Sequence, residues 1–326
     1  MLELLFVMLL HSPRVVAAAG GPMRRLVQQI YRHFNRSLIQ FDARCARYDA
    51  ELFYTLKPGS CTWGNLEFSN DYRINRAGVR DDDAALSAPE MIVIGDSHAM
   101  GWGVDQDQSL VRVMAQKTGL KTLDAAVSSY ATVREKLMLG RLDTSKLRVL
   151  AIQYADNDLP ENRTFREQGN HLPISSRELW ETIGRYYTTQ QRYYPGKYTF
   201  RLFMKVLKLE PPEPDQLRMD PVTPEEEAEL FLHAVTKAGP TSLDGVQLIV
   251  FEVNQEFGHP RRFIEALDRV ARKADYPQWV RHLVTLDTTR VLTDGDFYVL
   301  DDHMRASGHL AVGTALAEIV RRAREQ

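Results

Sequence analysis

Cysteine is almost missing from this chain: Cys45 and Cys61 are the only two in 326 residues. Two thiols cannot build a structural zinc site by themselves. They leave open one disulfide in an oxidising compartment or two ordinary buried thiols in a reducing one. A surplus of either charge is missing too, since 41 Lys and Arg stand against 43 Asp and Glu, a formal net charge of -2. No global field draws nucleic acid, and no nucleic-acid partner is expected. The 9 histidines show no metal-binding spacing, and neither a metal nor an organic cofactor is expected. Long apolar runs are scarce. Leu2 to Leu10 is apolar apart from Glu3, and Val15 to Gly21 adds a small apolar tail. The first run is too short to span a bilayer and no basic segment precedes it, so neither a membrane span nor an export signal is clean. Residues 1–22 therefore read as an apolar N-terminal segment, an anchor or a signal remnant, and residues 23–88 as an N-terminal extension.

What is present is ordinary for a globular chain, 44% apolar and 26% charged. The length suits one large domain or a main domain with a smaller attachment. The organising stretch is Pro89 to Leu110, PEMIVIGDSHAMGWGVDQDQSL. Met91 to Ile94 reads as a strand buried on both faces, and Gly95 ends it before a polar turn of Asp96, Ser97 and His98. A helix is expected from about Gln108 to Gly119. Further strands are expected at Lys121 to Ala126, Leu147 to Gln153, Val246 to Val253 and His282 to Leu286. Helices are expected at Val133 to Leu139, Thr223 to Lys237, Arg261 to Ala274 and Gly308 to Arg324. Thr223 followed by Pro224, Glu225 and Glu226 is a strong helix start. Strand, loop and helix in alternation predict an α/β protein, a three-layer α/β/α sandwich on a mainly parallel sheet.

Two regions break the rhythm. Met23 to Ile39 reads as an amphipathic helix carrying Arg24, Arg25, Arg32 and Arg36, which packs on the body with its arginines in water or else lies on a membrane, and Phe41 to Asn75 reads as irregular, with a short strand or two between Phe68 and Ile74. Residues 160–222 form an insertion, with a helix near Glu178 to Tyr187 and an aromatic, basic stretch from Arg192 to Lys205 that Pro211, Pro212 and Pro214 end. This stretch reads as a cap or substrate-side element, or else as a plain packing element that covers the sheet.

The residues able to carry chemistry lie at both ends of the fold. A serine hydroxyl needs a base, and an imidazole base needs an acid to fix its tautomer. Ser97, at the carboxyl end of a strand, His303, and one of Asp301 or Asp302 supply that set. Asp96 and His98 are secondary candidates, and polar loops at Ser128, Ser129 and Asn157 could donate to a developing oxyanion.

These blocks resemble, in chain order, the GDSL-like or SGNH hydrolase superfamily: GDSH at Gly95 to His98, ADND at Ala155 to Asp158, and DDH at Asp301 to His303 followed by Gly308 and His309. The resemblance runs from about Asn75 to the C-terminus, about three quarters of the chain. It implies a flavodoxin-like fold with Ser97 as nucleophile, His303 as base and Asp301 as acid, Asp302 being the second choice. The implied oxyanion hole consists of the Ser97 and Ser129 amides and the Asn157 side chain. Ser129 stands where the family has glycine, and His98 is expected to line the pocket rather than act as base. The implied activity is that of a serine esterase acting through an acyl-enzyme on a saccharide or lipid ester, such as an O-acetyl or short acyl ester. The alternatives are an O-acyltransferase with the same triad, or an inactive carbohydrate-binding or envelope-assembly protein. Asn75-x-x-Gly78-x-Arg80 and GWGVDQDQSL are similar to exported or membrane-tied bacterial members. That similarity implies a periplasmic or inner-membrane-associated location, membrane association through the N-terminus and a Cys45–Cys61 disulfide.

Overall fold

A computed structural model of the protein describes residues 1–19, 21–35, 37–207, 209, 221–254 and 262–325. Arg36, Arg261, Pro211, Pro212 and Pro214 lie outside the described residues.

Five parallel strands form the central sheet: β1 (Met91–Ile94), β2 (Thr122–Asp124), β3 (Val149–Tyr154), β4 (Gln247–Glu252) and β5 (Val284–Leu286), in the order β2-β1-β3-β4-β5. The expected α/β architecture is the one found. Every residue of β1, β2 and β3 is buried, which is why these strands read as continuous runs rather than alternating ones. The chain reverses direction across the sheet between β2 and β3, so right-handed crossovers put the helices on both faces. Leu110–Thr118 packs with Ala306–Glu325 in one layer, and Pro224–Lys237 packs with Thr132–Leu139, Leu159–Glu167 and Arg262–Val270 in the other. The reversal also opens a crevice between the carboxyl ends of β1 and β3, where ligands bind in such sheets.

Local signals account for the helix ends. Ser109 caps Leu110–Thr118 through the Arg112 amide at 3.3 Å, and Thr223 caps Pro224–Lys237 through the Glu226 amide at 3.2 Å.

Two expectations change. The strand expected between Phe68 and Ile74 is found at Ser69–Ile74, but the rest of the stretch read as irregular is paired too, in two hairpins, Ala46–Asp49 with Phe53–Leu56 and Gly59–Gly64 with Ser69–Ile74. Their strands are short and rich in polar residues, so pairing and a Cys45–Cys61 disulfide, with Cα atoms 5.4 Å apart, hold what periodicity does not announce. The helix read as Met23 to Ile39 spans Gly21–Phe34 and is followed by a separate 3₁₀ turn, Ile39–Phe41. Residues 38–86 also share one hydrophobic core with the sheet.

The N-terminus forms a unit of its own. Helices Leu2–Leu10, Pro13–Ala19 and Gly21–Phe34 close around Phe6, Leu10, Val27 and Phe34, joined by Tyr198 from the insertion helix Lys197–Val206 and by Leu300. Among the described residues no single helix is long and apolar enough to cross a membrane, and the first two helices meet at 101°.

Candidate active site

Ser97 lies three residues beyond β1. The expected polar turn is the start of a short helix, Ser97–Met100, because the Asp96 carboxylate accepts the His98 amide at 2.8 Å. The Asp96 amide in turn donates to Gln153 Oε1 of β3 at 2.9 Å. Asp96 is thus the helix cap, and burial pushes its pKa up to about 6. Gly95 is required by close approach: a Cβ there would lie 2.8 Å from the side chains of both Ala99 and Gln153.

From the other end of the chain, the loop before Ala306–Glu325 delivers His303. Its Nε2 is 2.7 Å from Ser97 Oγ and its Nδ1 is 2.5 Å from Asp301 Oδ1. Asp302 Oδ1 is farther from the same nitrogen, 3.2 Å, and its other oxygen lies 3.7 Å from Arg32 Nε. Burial disfavours a charged His303, but the charge of Asp301 and hydrogen bonds to both aspartates outweigh it and hold its pKa up at about 10. Burial is likewise outweighed at Asp302, where the His303 bond and the nearby His303 and Arg32 charges hold the carboxyl below its ordinary range.

Asp301 is surrounded by donors. Oδ1 also accepts the His303 amide at 3.1 Å, while Oδ2 accepts from Asn65 Nδ2 at 2.7 Å, the Tyr31 hydroxyl at 3.3 Å and Trp102 Nε1 at 3.4 Å. The Glu67 carboxylate accepts three successive amides, those of Val299, Leu300 and Asp301, at 2.8–2.9 Å, which fixes the loop itself. A carboxylate held by this many donors keeps a single orientation.

The His303 ring is sandwiched, with Trp102 stacked at 4.9 Å and His98 at 4.6 Å between centroids. His98 does not line the cavity as expected. It is 1% exposed, neither ring nitrogen has a partner among the described residues, and burial keeps its pKa well below the ordinary value, so a neutral ring backs the base.

Ser97 and His303 open onto a cavity of about 90 Å³ whose other walls include Tyr31 and Arg32 of the N-terminal unit, Ser37, Ser128 and Ser129. Ser129 takes the left-handed conformation, φ 58°, which suits the glycine it replaces. Gln40 holds it there, donating to Ser129 Oγ at 2.9 Å and accepting from Ser128 Oγ at 3.1 Å. Asn157 departs from expectation: it is exposed on the turn Asp156–Asp158 and outside the cavity lining. The turn sends Asp158 inward instead, to accept the Thr132 hydroxyl at 2.8 Å.

Several residues that matter to the site escaped sequence reading. Arg80 donates to the carbonyls of Met100 at 3.1 Å, Val104 at 2.7 Å and Gly101, and lies 3.8 Å over the Tyr72 ring, so the Asn75-x-x-Gly78-x-Arg80 motif braces the loop after Ser97. That motif was visible without a role, whereas Asn65, Glu67 and Gln40 carried no local signal. Asp301, Asp302 and His303 also place three ligand-type atoms within 4.8 Å of one another. Both imidazole nitrogens, however, are engaged by Asp301 and Ser97, so the donors are spent on one another.

No family model and no curated protein matches the chain. The solved structures it is similar to include lipolytic enzymes, esterases and lipases. A protein assigned to the lipolytic G-D-S-L family from Desulfitobacterium hafniense DCB-2 is 11% identical with a TM-score of 0.38, over 70% of this chain and 98% of that one. An acetyl xylan esterase from Butyrivibrio proteoclasticus is 10% identical with a TM-score of 0.39, over 73% and 65%. A phospholipase A1 from Streptomyces albidoflavus NA297 is 13% identical with a TM-score of 0.34, over 72% and 99%. Likeness at this level bears on neither reaction nor substrate, which rest on the residues themselves.

Proposed function

We propose that the protein is a serine esterase. Ser97 Oγ attacks an ester carbonyl carbon while His303 Nε2 takes the hydroxyl proton and Asp301 orients the imidazole and balances its charge. The amides of Ser97 and Ser129 receive the oxyanion, the alcohol leaves with the proton from His303, and an acyl-enzyme remains. Water, deprotonated by His303, then releases the acid. The observation that carries this reading is the continuous Ser97–His303–Asp301 chain, 2.7 and 2.5 Å, at a cavity of about 90 Å³. A space of that size suits an acetyl or other short acyl group rather than a long chain, with a saccharide or lipid as the alcohol outside it. Asn157 adds a third donor only if its side chain turns inward on binding, which turnover of Asn157→Ala decides.

One observation favours acyl transfer as a second reading. The N-terminal unit contributes Tyr31 and Arg32 to a cavity wall where a bound alcohol acceptor could displace water from the acyl-enzyme. The disulfide supports an oxidising compartment such as the periplasm, which thiol alkylation of the protein from cells without reductant would test.

The test compares wild type with Ser97→Ala on acetyl and longer-chain esters, following both free acid and transfer to added sugars. Turnover falls by about 10³-fold or more in the variant, and a fluorophosphonate labels only the wild type. Undiminished turnover in folded Ser97→Ala overturns the reading, and the ratio of the two products separates esterase from transferase.

A further inference from the structure

Charge that balances over the whole chain is segregated within it. Residues 1–41 carry five arginines and residues 182–209 carry six Lys or Arg, against one acid, Glu3, while the whole chain has a formal net charge of -2. The fold brings these two stretches together, with Arg24 paired to Asp294 at 2.6 Å, Arg32 beside Asp302 and Lys197 buried, while Arg36 and Lys208 lie outside the described residues. Helix Leu2–Leu10 packs against Lys197–Val206, and the lone acid is consumed at their junction, where Glu3 accepts the Thr199 amide at 2.9 Å and its hydroxyl at 3.0 Å.

Both helices of this pair present apolar side chains to solvent. Leu4 is 71% exposed and Met8 57%, four residues apart on the first helix; Phe203 is 58% exposed and Val206 71%, three apart on the second. Exposed cations, among them Arg14, Arg25 and Arg192, belong to the same two stretches. Lys197–Val206 is strongly amphipathic and Leu2–Leu10 is apolar on its exposed side as well as its buried one, and such elements with cations around them suit a membrane interface.

We propose that this face docks on the surface of a bilayer containing anionic lipid, with the two helices in the plane of the interface. The charge set selects the occupant. A second copy meeting the same face would set Arg14, Arg25 and Arg192 against the same three cations. A nucleic acid would satisfy the cations but leave Leu4, Met8, Phe203 and Val206 without a use. The inference does not depend on the esterase reading.

The test floats the full chain with vesicles of phosphatidylglycerol and phosphatidylcholine, and with vesicles of phosphatidylcholine alone. The protein floats with the anionic vesicles, less so with the neutral ones and less at high salt. The double variant Phe203→Asp with Val206→Asp reduces the bound fraction roughly tenfold or more, with an unchanged melting temperature because both side chains are exposed. The proposal is overturned if the wild type stays with the solvent, or if the double variant floats equally well. It is also overturned if the variant instead abolishes a concentration-dependent dimer or binding to DNA while the wild type shows no flotation.

Discussion

The two ends of the candidate triad are held in different ways. Ser97 is placed by backbone: a fully buried strand, a glycine that nothing larger can replace, and a helix cap. His303 and Asp301 lie on a loop positioned by side chains from far away in sequence, Tyr31, Asn65 and Glu67. The sheet guarantees the nucleophile wherever the core forms. The acid–base end exists only because the N-terminal helix and the second hairpin reach across to it, which makes it the end where remote substitutions are felt in catalysis.

The largest effect that sharpens this contrast is at the acid. Asp301→Asn should lower kcat/KM by about 10²- to 10⁴-fold while Asp302→Asn costs under about tenfold, because the shorter bond orients the imidazole. Steady-state kinetics on one ester checks both, and equal losses would remove the distinction. The pH profile carries the same information. The base must be neutral, and Asp301 raises the His303 pKa, so activity should rise with pH along a limb centred above 6.5 and shifted down in Asp301→Asn.

Next in size is Glu67→Ala, which frees three amides of the loop without touching substrate. A loss of about 10- to 100-fold is expected in kcat with little change in KM, and an unaltered kcat would show that the loop holds itself. Smallest in its effect on chemistry is the disulfide. It lies in the hairpin region, so Cys61→Ser should lower stability by about 2–4 kcal/mol in denaturant unfolding while turnover of the folded protein stays within about twofold.

The same contrast explains what could be read in advance. The buried run at Met91 to Ile94, the capped start at Thr223 and the alternation of strands and helices were legible because each rests on neighbours in sequence. Ser97, His303 and Asp301 were legible as chemical types at strand and loop ends. Of the hairpins only the strand at Ser69–Ile74 was legible, through its partial alternation; the other strands are short and made by pairing and a cross-link rather than by period. Ser129 was legible as a departure from glycine, yet only the structure shows Gln40 holding it at positive φ. Asn157 was expected inside from the resemblance of its ADND block, but the turn it occupies leaves it exposed.

By itself, then, the sequence determined the layered α/β scaffold and the identity of the reactive groups, because hydrophobic period, caps and turn residues act over a few positions. The tertiary structure alone decided that His303 reaches Ser97, what braces the loop that carries it, and that an apolar, cationic N-terminal unit walls the cavity. Those outcomes depend on contacts between residues more than two hundred positions apart, such as Tyr31 with Asp301, and no local rule encodes a distance in space.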